Sequence, residues 1–393
     1  MNILFLFQRF SFSSKDLYLD LVTACAEAGH KVFVLAGTSE NKATDSLVDE
    51  GGCSVAYVKL PDQFKAGKIK KGLVQLFIEP IFKRTIKKLL WQERIDIVAY
   101  PTPPITLAGV VSMIKKHYGA RSYLMLKDIF PQNAVDLGMM AEGSFLHKYF
   151  KGVERKLYLE SDVIGCMSPA NIEYIKNHNP YAADRLELFP NTIAITEDTV
   201  QAKKPGSEAV ISFMLGGNLG KPQGLEFLLK GIKKLDDEGF NDAQFMIVGK
   251  GTESAFVKKY IADNALKNVR YLESLPKDEY EELLLGQDVG LISLSEKFTF
   301  PNFPSRLLSY MHRAKPVFVV TDEVCDMGKI VTEDAHCGYY AKAGDIEAFA
   351  AGVKQICKER SQLFELGKNG RRYLEENYDV RMSVKLLERA AVK

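Results

Sequence analysis

The chain has 393 residues, which exceeds the usual size of one hydrophobic core, so we expect two domains. Its formal net charge of +2 argues against bulk electrostatic binding to nucleic acid, and none of its apolar runs is long enough to span a bilayer. The six cysteines are scattered without a C-x-x-C pair, which argues against zinc and is typical of reduced, buried thiols in a cytosolic protein.

The first half of the chain alternates short apolar runs with amphipathic segments. The apolar N-terminus lacks a basic start and a small-residue cleavage site, so we expect a first strand there and not a signal peptide. Strands are predicted over 3–7, 31–36, 54–59, 95–100, 121–126, 163–167 and 186–189, with helices from 17 to a stop at Gly29 and over 105–116. The first strand–helix–strand unit is complete by residue 36, which predicts a parallel sheet with right-handed crossovers.

Residues 64–95 interrupt this alternation with a strongly basic stretch. Nine lysines and arginines stand against Glu79 and Glu93, a balance of +7, and aromatic and aliphatic side chains are interleaved with them. A basic amphipathic segment of this kind is typical of a surface that binds an anionic membrane. A helix packed on the sheet with a solvated lysine face has the same pattern, and the sequence leaves both interpretations open.

A polar stretch over 197–208 has the composition of a linker and predicts the domain boundary. The second half then repeats the alternation, with strands predicted over 210–215, 244–248, 269–272, 289–293 and 317–320. Helices are predicted over 223–235, 253–264 and 277–285, from residue 304, and over 380–390. Ligands of such sheets lie at the carboxyl ends of the strands, here residues 216–224, 249–251, 273–276 and 293–305.

The loop after residue 215 is rich in glycine and is followed by an amphipathic helix. Gly216, Gly217 and Gly220 allow a sharp turn close to a ligand, and a helix start offers free N–H groups to an anion. Lys221 adds a mobile positive charge in the same turn. A tight strand-to-helix turn without a ligand uses glycine as well, so both interpretations stay open. The glycine spacing does not match the dinucleotide-binding fingerprint.

Several stretches that follow the strands carry a more specific resemblance. The chain resembles retaining glycosyltransferases of family 4 in KDIFPQNAVDLG (127–138), LFPNTI (188–193), GGNLGKPQGLEFLL (216–229), IVGKGTE (247–253) and FPSRLLSYMHRAKPVF (303–318). The similarity is to the bacterial branch that builds capsule, exopolysaccharide and O-antigen. It implies the GT-B fold, an α/β architecture in which two doubly wound, Rossmann-like parallel-sheet domains face a cleft.

The resemblance implies an N-terminal acceptor-binding domain over 1–195, a C-terminal donor-binding domain over 205–378, and a closing helix over 379–393 that crosses back to the first domain. It implies transfer of a hexosyl or N-acetylhexosaminyl group from a nucleotide sugar, most often UDP-linked, with retention and without a required metal. A lipid-linked glycan is the implied acceptor. Peripheral binding at the cytoplasmic face of the plasma membrane follows if residues 64–95 contact lipid.

Site residues can be carried over from the family position by position. Asn218 and Lys221 occupy the loop that faces the donor diphosphate, where a lysine supplies the charge that the leaving group needs. Asp128, at the tip of an N-domain strand, faces the acceptor hydroxyl in this comparison, and a helix cap or loop carboxylate is the open alternative. The other implied donor contacts are Gly217, Gly220, Gly249, Lys250, Leu275, Ser305, Arg306 and Ser309, and Ser13 and Ser14 lie on the acceptor side.

The chain also departs from the family pattern. Ser309 and Pro301 stand where the family has two glutamates. The family's glutamate at the position of Ser309 binds the donor ribose. A serine hydroxyl cannot accept two hydrogen bonds from a ribose as a carboxylate does, so we expect a weaker grip or another partner such as Glu296. The first loop, residues 10–15, is bulkier than the family's glycine loop, which predicts a different acceptor fit. A catalytically weak GT-B partner that binds sugar and a nucleotide-sugar epimerase are the alternative functions.

Overall fold

The computed structural model describes residues 1–13, 16–38, 43–60, 68–196 and 210–392, without the side chains of residues 68–76 and of Lys277. The chain divides into two units, one formed by Met1–Ala194 with Asp379–Lys393 and the other by Ile195–Tyr378. Ser14, the start of the basic segment at 64–67 and the linker predicted over 197–208 lie outside the described residues.

The first unit is built on a sheet of eight strands. These are β1 (Asn2–Phe7), β2 (Lys31–Thr38), β3 (Val48–Glu50), β4 (Cys53–Lys59), β5 (Ile97–Pro101), β6 (Arg121–Leu126), β7 (Val163–Cys166) and β8 (Leu186–Leu188). They pair in the order β3-β4-β2-β1-β5-β6-β7-β8, and all are parallel except β3, which runs antiparallel to β4. The strand order reverses between β1 and β5, and open parallel sheets hold their ligands at such a reversal.

The helices of this unit are α1 (Leu17–Glu27), α2 (Lys68–Leu89), α3 (Ala108–Tyr118), α4 (Gln132–Asp136), α5 (Phe145–Glu160) and α6 (Pro169–His178). Asp16 caps α1, because its Oδ1 accepts hydrogen bonds from the N–H groups of Tyr18 and Leu19. On β1, alternate side chains such as Phe5 share one face of the strand and pack in the core with Leu21 of α1. The period of two in the strand and the apolar stripe of the helix therefore meet in one core.

Helix α2 contains most of the basic segment. In the part whose side chains are described, Ile78, Phe82 and Ile86 recur at helical spacing and are fully buried. Arg84 and Lys87 lie on the other face and are exposed. The apolar face of this part packs inside the unit, against β4 and α3. Its solvent-facing surface therefore carries basic side chains together with Phe77, which is 56% exposed.

The second unit is built on six parallel strands, β9 (Ile211–Gly216), β10 (Ala243–Val248), β11 (Val269–Leu272), β12 (Val289–Ser293), β13 (Val317–Thr321) and β14 (Gly338–Lys342). They pair in the order β11-β10-β9-β12-β13-β14. The chain moves outward from β9 to β11 and then returns to the other side of β9 at β12. The reversal point of this sheet is therefore the carboxyl edge between β9 and β12.

The helices of the second unit are α7 (Leu225–Asp237), α8 (Ser254–Asp263), α9 (Lys277–Leu285), α10 (Arg306–His312), α11 (Met327–Lys329), α12 (Ile346–Lys358) and α13 (Leu363–Asn377). The closing helix, α14 (Val380–Val392), belongs to the first unit. Its Val384 and Leu387 are buried in the same core cluster as Phe5.

The prediction of two doubly wound, Rossmann-like parallel-sheet domains is confirmed. At finer scale, the predicted strand over 95–100 is wrong by one to two residues, since β5 spans Ile97–Pro101. The helix predicted from residue 223 begins instead at Leu225, because Lys221–Gln223 form a 3-10 turn and Gly224 adopts the left-handed conformation. The sequence analysis does not predict β3, β14, α4, α5, α11, α12 or α13.

Candidate active site

The first two loops at the carboxyl edge of the second sheet are joined by backbone hydrogen bonds. The Gly217 N–H donates to the Val248 carbonyl at 2.9 Å, and the Leu219 N–H donates to the Lys250 carbonyl at 2.9 Å. Gly249 lies beside these bonds with φ +147°, and a Cβ at this position would overlap the Gly217 carbonyl oxygen. This approach requires a glycine, and it fixes the loop after β9 against the loop after β10.

We expect Gly249→Ala to lower the free energy of unfolding by about 2 kcal/mol or more, because the new methyl group displaces the Gly217 carbonyl and strains the backbone. Gly239→Ala is the matched control, since Gly239 has φ +68° and no atom within 4 Å of the added Cβ. The control should lose only the cost of a left-handed residue, about 1 kcal/mol. Urea unfolding of the two variants measures the difference, and equal losses would contradict this packing.

The loop after β12 meets the same turn. The Ser295 N–H donates to the Pro222 carbonyl at 2.9 Å, and the Ser293 hydroxyl donates to the Gln223 carbonyl at 2.8 Å. Three loops, those after β9, β10 and β12, therefore converge at the reversal point of the second sheet. This is the place where an α/β sheet of this kind binds ligands.

Two tyrosine hydroxyls support the start of the first loop. The Tyr310 hydroxyl on α10 donates to the Met214 carbonyl at 2.8 Å and accepts from the Gly216 N–H at 3.3 Å. Tyr280 of α9 reaches the same residue, since its ring and hydroxyl would overlap a Cβ on Gly216. The end of β9 is thus held from two helices, which positions the loop that follows it.

Arg306, in the first turn of α10, brings a positive charge to this loop. Its Nη2 atom lies 3.3 Å from the position that a Cβ would take on Gly217, so the guanidinium borders the glycine backbone. Its Nη1 atom is buried and has no hydrogen-bond partner among the described residues. Burial lowers the pKa of this guanidinium, but an arginine stays charged at neutral pH. A buried cation of this kind suits an anionic ligand such as a diphosphate.

Lys221 and Asn218 are exposed on the first loop itself. The Lys221 amine makes no hydrogen bond or ion pair within the part of the chain that the structure describes. The Asn218 amide nitrogen lies 3.4 Å from the position that a Cβ would take on Gly220. The structure therefore brings these predicted donor residues to one edge of the sheet: Gly217, Asn218, Gly220, Lys221, Gly249 and Arg306.

The side chains of the other predicted donor residues form no hydrogen bond or ion pair with the glycine loop among the described residues, and these residues are Lys250, Leu275, Ser305 and Ser309. The Lys250 amine lies 3.7 Å from the Glu273 carboxylate. Leu275 is half-buried in the loop after β11, and Ser305 is exposed directly before α10. Ser309 is half-buried in the middle of α10. These positions are compatible with a ligand at the edge but do not define one.

Glu296, the alternative partner for a ribose, follows Ser295 in the loop after β12. Its Cβ and Cγ atoms are 3.4 and 3.5 Å from the position that a Cβ would take on Gly344, in the turn after β14. The side chain is exposed, whereas Pro301 is buried. No described hydrogen bond connects Glu296 with Ser309, and the role of Glu296 as a ribose partner stays a prediction.

Three residues that belong to this edge are not predicted from the sequence. Tyr310 could have been found from spacing, because it follows Arg306 by four residues and lies on the same helix face. Tyr280 comes from α9, and no sequence signal connects it with the glycine loop. Gln223 is 8% exposed, and its Oε1 atom is buried without a hydrogen-bond partner among the described residues. Gln223 could have been predicted from its position in the glycine-rich loop after β9.

In the first unit, Asp128 follows β6 at the carboxyl edge of the sheet. Asn133 Nδ2 donates a hydrogen bond to Asp128 Oδ2 at 2.6 Å. The backbone N–H of Asp128 donates to Thr102 Oγ1 at 3.1 Å. The N-cap of α4 is Pro131, so Asp128 is not a helix cap. Burial raises the pKa of the Asp128 carboxyl to about 7, and a hydrogen bond from the Ile129 N–H opposes this rise. The carboxyl titrates where acid–base chemistry operates.

Lys127 lies beside Asp128, and the sequence analysis gives it no role. Its Nζ atom is 3.5 and 3.4 Å from the carbonyl oxygens of Phe189 and Pro190, and 5.0 Å from the centroid of the Phe189 ring. Burial lowers the pKa of this amine to about 7. The edge of the first sheet therefore presents a lysine and a carboxyl group that both titrate near neutral pH.

The bulky first loop of this unit packs its aromatic rings inward. Phe10 is buried and stacks on Phe7 with the ring centroids 5.1 Å apart, and Phe12 meets Phe10 edge-on at 5.0 Å. Ser13 remains exposed, with its Oγ 2.7 Å from Ser11 Oγ. A packed cluster of aromatic rings therefore fills the space that would stay open if this loop contained glycines.

The described residues contain no disulfide, no candidate metal cluster and no membrane-spanning helix. All six cysteines are buried and unpaired, as predicted. No group of three or more histidine, cysteine, aspartate or glutamate side chains in the described ranges is arranged to hold a metal ion. A search of the described helices finds none with the length and apolar character needed to cross a membrane.

Both units have matches among known protein families. Residues 195–373 match the family model described as Glycosyl transferases group 1, and residues 17–197 match the model described as Glycosyltransferase Family 4. The probable glycosyltransferase WbjE of Pseudomonas aeruginosa is 26% identical over 339 residues, which cover 83% of this chain and 81% of that protein. The putative colanic acid biosynthesis glycosyl transferase WcaI of Escherichia coli (strain K12) is 22% identical over 278 residues, 66% of each chain.

A solved structure shares the fold over the whole chain. It is described as trehalose-6-phosphate from E. coli bound with UDP-2-fluoro glucose, and it covers 100% of this chain and 99% of its own. The TM-score is 0.73 at 12% sequence identity. This likeness supports the architecture of the two units, and the matching families establish the class of reaction.

Proposed function

Because this chain is a GT-B glycosyltransferase with a group 1 domain and a family 4 domain, we propose that it transfers a sugar from a UDP-linked donor to a lipid-linked glycan, with retention at the anomeric carbon. The transferred group is a hexosyl or N-acetylhexosaminyl group. The product belongs to a bacterial surface polysaccharide such as a capsule, exopolysaccharide or O-antigen. The likeness to a colanic acid biosynthesis transferase and to a structure bound with a UDP-sugar supports these choices.

The observation that carries the donor proposal is the charge at the glycine loop of the second unit. Arg306 borders Gly217, and its buried Nη1 atom has no hydrogen-bond partner among the described residues. Lys221 adds an exposed amine on the same loop. Two cations at a backbone that glycine keeps open are suited to the diphosphate of a nucleotide sugar.

In the proposed reaction, the bond between the anomeric carbon and the diphosphate oxygen breaks, and its electron pair goes to the diphosphate. Lys221 and Arg306 stabilise the charge that develops there, so no metal ion is required. The acceptor hydroxyl oxygen bonds to the anomeric carbon on the face that the diphosphate leaves. The hydroxyl proton passes to an oxygen of the leaving group. Asp128 of the first unit accepts a hydrogen bond from this hydroxyl and orients it.

The proposal places the protein at the cytoplasmic face of the plasma membrane, where a lipid-linked acceptor would be presented. The basic face of residues 64–95 would contribute by attraction to anionic lipid. In the described part of α2, Ile78, Phe82 and Ile86 are buried but Phe77 is 56% exposed, so one aromatic ring would accompany this electrostatic contribution.

A donor panel with purified lipid-linked glycan as the acceptor tests the proposed function. We expect one UDP-sugar to give a glycosylated lipid, and NMR of the product to show the anomeric configuration of the donor. An inverted anomeric carbon would contradict retention. Binding of a UDP-sugar without turnover would favour the catalytically weak partner that Ser309 and Pro301 keep open. Recovery of a free epimerised nucleotide sugar would indicate the epimerase alternative.

A further inference from the structure

The outer face of α5 exposes apolar side chains that the fold does not cover. Phe145 is 88% exposed, Tyr149 42% and Leu159 43%. Tyr149 follows Phe145 by four residues and Leu159 follows Tyr149 by ten, so the three side chains lie along one side of the helix. Leu146 at the helix start and Met139 in the preceding loop, 51% and 56% exposed, border the same surface. Apolar residues of this size are seldom left together in water without a binding role.

The same face carries positive charge. Lys148, Arg155 and Lys156 are exposed, and none of them forms an ion pair with a carboxylate in the ranges that the structure describes. Arg155 lies over the ring of Tyr181, with its Cζ 4.2 Å from the centroid. α5 has two acidic residues: Glu154 is buried on the inner side and pairs with Lys151, and Glu160 is half-buried at the end of the helix. Glu142 is exposed and lies in the turn before α5. The face therefore combines aromatic, aliphatic and cationic side chains.

The inner side of α5 holds this face in place. Phe150 is buried and meets the ring of Phe130 edge-on, with the centroids 5.0 Å apart. Leu157 and Tyr158 are also buried, and the Ser144 hydroxyl accepts a hydrogen bond from the His147 N–H to cap the helix. The helix cannot turn its exposed aromatic residues inward without losing these contacts. Phe130 is two residues after Asp128, so the helix is anchored to the loop that carries this carboxylate.

We propose that the outer face of α5, formed by Phe145, Lys148, Tyr149, Arg155, Lys156 and Leu159, binds the surface of an anionic phospholipid bilayer. The aromatic and aliphatic side chains enter the interface, and the cations pair with lipid phosphates. A mixture of exposed aromatic residues with unpaired cations favours a lipid surface over an acidic protein, which would not explain the apolar part. The inference rests on the proposed lipid-linked acceptor, because it brings the Asp128 loop to the membrane that presents this substrate.

Co-sedimentation of the full chain with vesicles tests the proposal without any glycosyl transfer. The vesicles are made of phosphatidylcholine alone, or of phosphatidylcholine with about one third phosphatidylglycerol. Phe145→Ser with Tyr149→Ser should lower the partition coefficient for the anionic vesicles by about tenfold or more. Lys148→Gln with Lys156→Gln should also lower it by about tenfold or more, and only this second loss should be reproduced by adding salt.

Lys267→Gln with Arg270→Gln is the matched control, since both residues are exposed in the second unit and the same two charges are lost. The control should bind anionic vesicles within about twofold of the parent. Equal binding by the parent and both α5 variants would overturn the proposal, as would concentration-dependent self-association that the Phe145 variant abolishes. Thermal unfolding and UDP affinity, measured without vesicles, show whether each variant is folded and whether the donor proposal stands independently.

Discussion

Lys221→Ala should lower turnover by about two to three orders of magnitude, which is the typical loss when one charge-stabilising group is removed from a transition state. The amine is exposed and forms no hydrogen bond or ion pair with another described residue, so we expect the unfolding temperature to stay unchanged. The diphosphate gains most of its negative charge as the sugar leaves. The loss should therefore appear in turnover more than in donor affinity. Initial rates at saturating UDP-sugar measure the effect.

Arg306→Met belongs to the same experiment, because Arg306 is the second cation at the glycine loop. Its buried guanidinium borders Gly217, so this variant should lose both donor affinity and turnover. If both cations act on one diphosphate, the double variant should lose less than the product of the two single losses. Independent effects would mean that the two residues bind different groups.

Lys230→Ala provides the control for the loss of a lysine near this loop. Lys230 lies on α7 and pairs with Glu226 at 2.8 Å, and an exposed helix pair of this kind contributes little to stability. Its turnover should remain within about twofold of the parent. Unchanged turnover of Lys221→Ala at saturating donor would remove this residue from the site.

The strands that place the site could be predicted because they are buried on both faces. β9, β12 and β13 read as continuous apolar runs, and such runs are a strong local signal. β14 is an edge strand with an exposed tyrosine and lysine, so it has no apolar run to find. α5 was not predicted, although Phe150, Leu157 and Tyr158 recur at helical spacing on its buried face. The missed outer face is the one that we propose binds lipid.

The donor side of the site could be predicted better than the acceptor side. A glycine loop is a short, continuous stretch of sequence, so Gly217, Gly220 and Gly249 can be recognised without the structure. The perturbed ionisation of Lys127 and Asp128 depends on burial by distant elements, including the carbonyl groups at residues 189–190 that surround the lysine. A single sequence does not reveal that burial.

The basic segment shows how one pattern can fit two structures. Phe82 and Ile86 pack inside the first unit, as expected for a helix on the sheet, whereas Phe77 is 56% exposed, so membrane binding by this segment stays a prediction. Amphipathicity indicates that a helix has an apolar face, but it does not distinguish a protein core from a lipid surface. The two cases differ in whether the apolar side chains are exposed in the folded chain, and on the outer face of α5 they are.

Asp128→Asn should lower kcat/KM for the acceptor by about 100-fold at pH 8, since a misplacement of a reacting group by about 1 Å can cost about 10²-fold in rate. The raised pKa sets the sign of the pH dependence. Below about pH 7 the carboxyl is protonated and neutral, and above it the carboxylate can accept a hydrogen bond from the acceptor hydroxyl and orient it. The parent kcat/KM should therefore rise through pH 7, and the asparagine variant should lose this rise.

Lys127 titrates in the same range with the opposite sign, because burial lowers the pKa of its amine to about 7 and its charge disappears as the pH rises. If this cation assists the acceptor, the parent profile is bell-shaped, and Lys127→Met should remove only the falling limb. Tyr18 stays neutral throughout, since burial together with the charges of Asp16 and Asp128 raises its pKa. Asp136→Asn is the control for a carboxylate on the neighbouring α4 and should keep the rising limb. A rising limb that survives in Asp128→Asn would assign the titration to another group and remove Asp128 from the reaction.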